Sequence, residues 1–203
     1  MRRDFEIPFA YALALLYGLL VTDGTASLAL FNMISVAVPV WTFITNAGSM
    51  AVWLAVAACI FFWGQFSKVG RKLSARKAGA VLFLGIWFNA AIAFALKNII
   101  ARPRPPYEIL TFELFEPVHE YGLSMPSGHA QMAFMAAAII GYFYPKTRIP
   151  LLIFAGLVAL SRIGLGAHWI MDVLVGAANG LLIAAVWIAL PWDRMRSMIQ
   201  KMF

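Results

Sequence analysis

Charged residues are rare enough along this chain to serve as rulers for the apolar runs between them. Glu6 to Asp23 encloses one uncharged run, which predicts a first membrane span. Lys77 to Lys97 encloses nineteen uncharged residues and predicts a third. At about 1.5 Å of rise per residue, a helix of that length covers roughly 28 Å, close to the hydrocarbon thickness of a bilayer. A fourth span is expected from Ala130 to Tyr144. A fifth starts near Pro150, because proline suits the first turn of a helix. A sixth runs from Val173 to Leu190 and stops at Pro191.

The stretch from Gly24 to Ser67 carries no charge and is too long for one helix. Parity decides how it is divided. Basic loops gather on the cytoplasmic side. Arg2 and Arg3, the cluster Lys68, Arg71, Lys72, Arg76 and Lys77, the pair Lys146 and Arg148, and the tail Arg194, Arg196 and Lys201 should therefore share one side. Two spans must then separate the N-terminus from Lys68. Ala51 to Trp63 is read as the centre of span two, and the segment around Pro39 as an outer-leaflet or interfacial element. Under this topology twelve Lys/Arg lie inside and only Lys97, Arg102, Arg104 and Arg162 lie outside.

Composition agrees. Of 203 residues, 63% are apolar and 12% charged, against about 45–50% and roughly 25% in soluble domains. Mean hydropathy is +0.82. The chain is read as an all-α, polytopic membrane protein, with residues 1–203 forming one bundle of six transmembrane helices. The net charge of +7 is assigned to topology. No basic stripe is interleaved with exposed aromatics, so nucleic acid is not expected as a partner. The single cysteine, Cys59, is read as a small packed hydrophobe. The N-terminal MRR and its apolar sequel are read as a retained span, because no small-x-small cleavage site follows closely.

Three polar stretches now fall on the outer face, although they are far apart in sequence. They are KNIIARPRP (Lys97 to Pro105), PSGH (Pro126 to His129) and SRIGLGAHWIMD (Ser161 to Asp172). A helix from Arg148 carries Arg162 roughly 20 Å across, short of the far surface. An intramembrane arginine is costly and asks for a partner, for which Asp172 is a candidate. Lys97, Arg104 and Arg162 outnumber that carboxylate. Excess fixed positive charge in a recessed site suits a multiply charged anion, and arginine forks match phosphate oxygens in pairs. His168 and Asp172 are four apart and share a face if the sixth helix has begun by then. An Asp on one ring nitrogen fixes the tautomer and leaves the other nitrogen free as a nucleophile. His129 follows Ser127 and Gly128 at a helix start, where backbone N–H groups bind anions. One histidine can attack phosphorus while the other protonates the leaving oxygen.

Lys97-x6-Arg104-Pro105, then Pro126-Ser127-Gly128-His129, then Ser161-Arg162-x5-His168-x3-Asp172 resembles the type 2 phosphatidic acid phosphatase (PAP2) superfamily, matching its three motifs in order and spacing over residues 97–172. The likeness is to the bacterial membrane lipid phosphatase branch. It implies a metal-independent phosphatase without a cofactor, which forms a phosphohistidine on His168. By the same resemblance His129 is the acid–base residue and Asp172 orients His168. Lys97, Arg104 and Arg162 bind phosphate oxygens, helped by Ser127, Ser161 and the Gly128 N–H. Arg102 is extra to the motif, open between a second phosphate and a lipid headgroup.

The expected substrate is a lipid phosphate monoester or diphosphate. Undecaprenyl diphosphate and phosphatidylglycerophosphate come first by resemblance, followed by phosphatidate and lipid A 1-phosphate. The expected location is the inner (cytoplasmic) membrane, with both termini cytoplasmic and the active site at the periplasmic face, open sideways to lipid. Two other readings stay open. One is a phosphotransferase that passes the group to a second lipid. The other is a transporter or binding protein for an anionic lipid, which the ordered His–His–Asp set disfavours. His119 is read as a loop residue and the glutamates of the 106–120 loop as solvated. Trp63, Trp87, Trp169 and Trp187 are read as belt or packing residues, and Asn89 as an interhelical hydrogen bonder.

Overall fold

Helix is the only regular structure among the described residues of the computed structural model, which covers 22–66, 72–106 and 122–192. That is what a bilayer dictates, since backbone groups in hydrocarbon must find partners within their own segment. The helices are α1 (residues 22–34), α2 (Val38–Ala47), α3 (Met50–Phe66), α4 (Lys72–Ile100), α5 (Gly128–Phe143), α6 (Arg148–Gly164) and α7 (Ile170–Ala189). Large apolar side chains such as Phe66, Phe94 and Ile99 face outward, as a lipid-facing surface requires.

Helix α5 is the centre and packs against α4, α6 and α7. Its inward residues are small or flexible: Ala133, Met135, Ala136, Ala137 and Ile139 are fully buried. Small residues let helices approach without a water-driven hydrophobic force. Thus α7 runs parallel to α5 and touches it through glycines. A methyl group at Gly176 would lie 2.6 Å from Ser127 O, and Gly180 meets Gln131 O still more closely. Inside the bundle, Gln131 Nε2 donates to Asn89 O (3.1 Å), and Asn89 Nδ2 approaches Met132 Sδ (3.8 Å). Asn89 is therefore an interhelical contact, as expected.

α4 and α6 run antiparallel to this pair, while α3 and α2, each antiparallel to the helix it lies along, run parallel to it. α3 lies along α4, with Gly64 beside Arg76 and Gly79 beside Phe61. α2 lies along α6, with Trp41 against Gly164 and Gly48 against Val158. The ends of α4 and α6 and the starts of α5 and α7 therefore collect at one end of the bundle.

Among the described residues, four segments are long and apolar enough to cross a membrane: Thr22–Ala47, Ser74–Ile100, Pro145–Gly164 and Ile170–Ala189. The first is broken by a 3-10 turn at Ser35–Ala37. Both of its limbs meet the same end of the bundle. Ser27 Oγ accepts Ile170 N–H at the start of α7, and Thr45 Oγ1 accepts from Arg162 near the end of α6. We therefore read it as a re-entrant element, and α2 followed by α3 as the crossing limb. Pro39 opens α2, in the place where an interfacial element was expected. The first expected span, Glu6 to Asp23, lies outside the described residues except for its last two positions. α7 starts at Ile170, three residues ahead of the expected Val173. Cys59 is exposed on the outward face of α3 instead of packing inside.

Candidate active site

At the end of α4 the chain must leave its helix sharply. Ala101 does this in the left-handed region, at φ 51°. That conformation costs a residue with a Cβ about 1 kcal/mol. The following residues run extended across the bundle end. Ser124 N–H donates to Arg102 O (2.8 Å), and Trp169 Nε1–H to Pro103 O (3.0 Å). Lys97 Nζ donates to Leu123 O (2.6 Å) and Ser124 O (3.1 Å). The loop ahead of α5 is thus fixed against the end of α4.

His168 is the buried centre of this end, 3% exposed. It precedes α7, so it does not share a helical face with Asp172 as the four-residue spacing suggested. Asp172 is the third residue of α7 and reaches back, accepting Trp169 N–H at 2.9 Å. A carboxylate in this position closes the first turn and meets the positive end of the helix dipole. The same oxygen, Oδ2, accepts the Ser124 hydroxyl and lies 3.4 Å from His168 Nδ1. Ser124 Oγ is also 3.3 Å from Nδ1. On the far side of the ring, Arg104 NH1 is 3.3 Å from Nε2 and 2.7 Å from Ala167 O. A guanidinium only donates, so Nε2 accepts and the proton sits on Nδ1. Burial pushes the imidazole down from 6.5 to about 3. The hydrogen bond with Asp172 opposes this, and the Arg162 and Arg104 charges add to it. The ring is therefore neutral, with an unprotonated nitrogen turned toward Arg104.

The start of α5 is bound to α7, since Ser127 N–H donates to Asp172 O at 2.9 Å. Ser127 has the N-cap position, but its side chain makes no capping bond, and among the described residues its buried Oγ has no hydrogen-bond partner. A buried hydroxyl in that state suits a ligand oxygen. Gly128 and His129 form the first turn behind it, both half-buried. The first N–H groups of a helix lie outside its own ladder and favour anions. Arg162 is 1% exposed, and its NH1 donates to Thr45 Oγ1 at 2.7 Å.

All nine residues singled out from the sequence lie at this end of the bundle. Three have partners other than those expected. Arg162 donates to Thr45 where Asp172 was the candidate. Asp172 receives Arg102 instead, NH1 to Oδ1 at 2.9 Å, while Arg102 NH2 donates to Asp23 Oδ2 at 2.7 Å. Ser161 is buried, and its hydroxyl is spent on Val158 O (2.7 Å). Trp169 carries the Arg102 guanidinium 5.4 Å from its ring centre. His119 and residues 107–121 of the loop lie outside the described residues.

Sequence reasoning missed Ser124, Thr45 and Asp23. Ser124 stands two residues before the PSGH motif and had no spacing to mark it. Asp23 did leave a signal. It is an isolated acid at the end of an apolar run, on the same expected face as Lys97, Arg102, Arg104 and Arg162.

The family model of the PAP2 superfamily matches residues 77–196, which takes in the ends of all four helices that build the site. The chain is 29% identical over 160 residues to the lipid A 1-phosphatase of Rhizobium etli, covering 71% of this chain and 68% of that protein. It is 32% identical over 123 residues to the decaprenylphosphoryl-5-phosphoribose phosphatase of Mycobacterium tuberculosis, covering 60% and 66%. Its fold is similar to the crystal structure of a transmembrane PAP2-type phosphatidylglycerolphosphate phosphatase from Bacillus subtilis. There the TM-score is 0.68 and the identity 26%, over 92% of this chain and 94% of that one.

Proposed function

The chain belongs to the PAP2 superfamily, and from that premise we propose that it is an integral-membrane lipid phosphatase acting through a phosphohistidine on His168. The observation that carries this reading is the environment of that ring: Nδ1 beside Asp172 and Ser124, Nε2 3.3 Å from Arg104. A ring so held offers an unprotonated nitrogen to an anion drawn in by guanidinium groups.

In this mechanism Nε2 attacks phosphorus and the P–O bond to the lipid breaks. His129 gives its proton to the leaving oxygen. Water then attacks the phosphohistidine, with His129 taking the water's proton and His168 leaving as the neutral ring. Arg104 turns from Nε2 to a phosphate oxygen as substrate enters. Arg162, Lys97, Ser127 and the Gly128 N–H hold the remaining oxygens, where charge is greatest in the transition state. Asp172 stabilises the imidazolium character that forms on attack. These cationic side chains supply the charge that Mg²⁺ supplies in other phosphoryl-transfer enzymes.

The three relatives act, by name, on lipid A 1-phosphate, on a decaprenyl-linked phosphoribose and on phosphatidylglycerolphosphate. What these share is a terminal phosphate on a membrane lipid, and that is the substrate class assigned here. Within it, undecaprenyl diphosphate and phosphatidylglycerophosphate lead, with phosphatidate and lipid A 1-phosphate behind. The location that fits is the inner membrane, with the site at the periplasmic face.

The test is phosphate release by purified protein from a panel of lipid phosphates that includes diphosphates. Turnover on at least one is expected, unchanged by EDTA and abolished by His168→Ala with the fold retained. A fully active His168→Ala protein refutes the assignment. Label retained on a second lipid, with little free phosphate, identifies a transferase instead.

A further inference from the structure

Arg102 lies between two buried carboxylates. Its NH1 donates to Asp172 Oδ1 at 2.9 Å and its NH2 to Asp23 Oδ2 at 2.7 Å. The guanidinium is 16% exposed at its side chain, and the two acids are 0% and 1% exposed. The other oxygen of Asp23, Oδ1, accepts Ser27 Oγ–H and Met171 N–H, both at 3.1 Å. Asp23 is therefore a fully engaged, charged group, built into the start of α7 one residue from Asp172.

The charge count gives this arrangement a consequence. An Asp172–Arg102 pair alone would be neutral, and its field on His168 would be largely cancelled. Arg104 already acts on the ring from the other side, and the Arg162 charge acts on it as well. A second carboxylate on the same guanidinium returns the cluster to a net charge of −1. Interactions of this kind are strong where water is excluded. Geometry is secured separately, because Ser124 and Trp169 N–H hold Asp172 without help from Arg102.

We propose that Asp23 is a positioning residue for His168, acting through Arg102 to keep the Asp172 carboxylate negative toward the ring and so to keep the ring proton on Nδ1. It touches neither the ring nor the reacting phosphate. The inference rests on the phosphatase reading for its kinetic consequence, but not for its effect on the ring.

Two readouts separate these. Protein labelled with ¹⁵N-histidine holds only three histidines, so the ring tautomer of His168 is directly visible. The wild type is expected as the Nδ1–H form. Asp23→Asn keeps the shape and removes the charge. It should deplete that form and lower kcat about tenfold with KM within about twofold. This is a smaller loss than the roughly 10⁴-fold known for removing a triad carboxylate that touches its histidine. Asp23→Glu should behave as wild type. The double variant Asp23→Asn/Arg102→Gln removes both charges and restores the net −1. It should recover the tautomer and at least half of the lost kcat on a logarithmic scale. A merely structural bridge predicts the opposite, with the double variant no better than the single one. An Asp23→Asn protein with wild-type tautomer and kcat, or a double variant without recovery, overturns the proposal. A wild type with the expected tautomer that releases no phosphate from any lipid defeats the phosphatase reading and leaves this inference standing.

Discussion

The proton on His168 Nδ1 is the smallest feature on which the chemistry turns. Ser124 is the hydroxyl nearest to it, donating to Asp172 Oδ2 while its oxygen lies 3.3 Å from Nδ1. Ser124→Ala should lower kcat about tenfold and leave KM nearly unchanged, because a bond to the ring that strengthens as charge develops is lost while phosphate binding is not. Steady-state kinetics check this, and a change confined to KM would contradict it. A second expectation concerns pH. Burial lowers the ring from 6.5 to about 3, so the ring is neutral above that value. Its ¹⁵N shifts should therefore stay constant from pH 5 to pH 8 in the ligand-free protein. Between pH 6.5 and about pH 3 the unfolded chain binds a proton here that the folded one does not. The contribution of His168 to stability thus falls as pH falls through that window.

Helix ends do the assembling, and their control lies in small residues. Gly176 allows α7 to lie against Ser127 O at the start of α5. Gly176→Ala must push the two helices apart, with an expected loss of about 1–3 kcal/mol of stability and a larger fractional loss of activity than at a lipid-facing position. Thermal unfolding in detergent and phosphate release measure the two effects; an unchanged melting temperature would contradict the packing account. Ala101 offers the reverse change. Ala101→Gly relieves the left-handed conformation and should stabilise by up to about 1 kcal/mol. The glycines and the alanine could be seen in the sequence, but not their duties. Close approach depends on which helix faces which, and the apolar pattern of a membrane helix does not say. The same limit explains His168 and Asp172. Their spacing was legible, whereas the helix start at Ile170 that puts one outside and one inside α7 was not.

Across the whole molecule, charge placement carried most of the information. The four cations that broke the basic-loop pattern do meet at one end of the bundle, and the segments expected as spans three to six fall on helices α4, α5, α6 and α7. What charge could not mark was uncharged structure. The stretch from Gly24 to Phe66 folds as α1, a 3-10 turn and a broken α2–α3 limb, and these follow from contacts with α4, α6 and α7. Sidedness is a prediction at this scale. In a Cys59→Ser background, Pro106→Cys should react with an impermeant maleimide from the periplasm, and Lys146→Cys only after the inner membrane is opened. Both positions are exposed, at opposite ends of the bundle. The reverse labelling pattern would invert the orientation. The central claim, that these helix ends form a pocket around a nucleophilic imidazole, has a more direct test. A substrate bearing ³²P in its terminal phosphate is mixed with excess enzyme, quenched in base within one turnover, and the peptides are mapped. The account predicts acid-labile, base-stable label on the peptide containing His168, absent from His168→Ala. Label on any other residue, or none in a protein that turns the same substrate over, would contradict it.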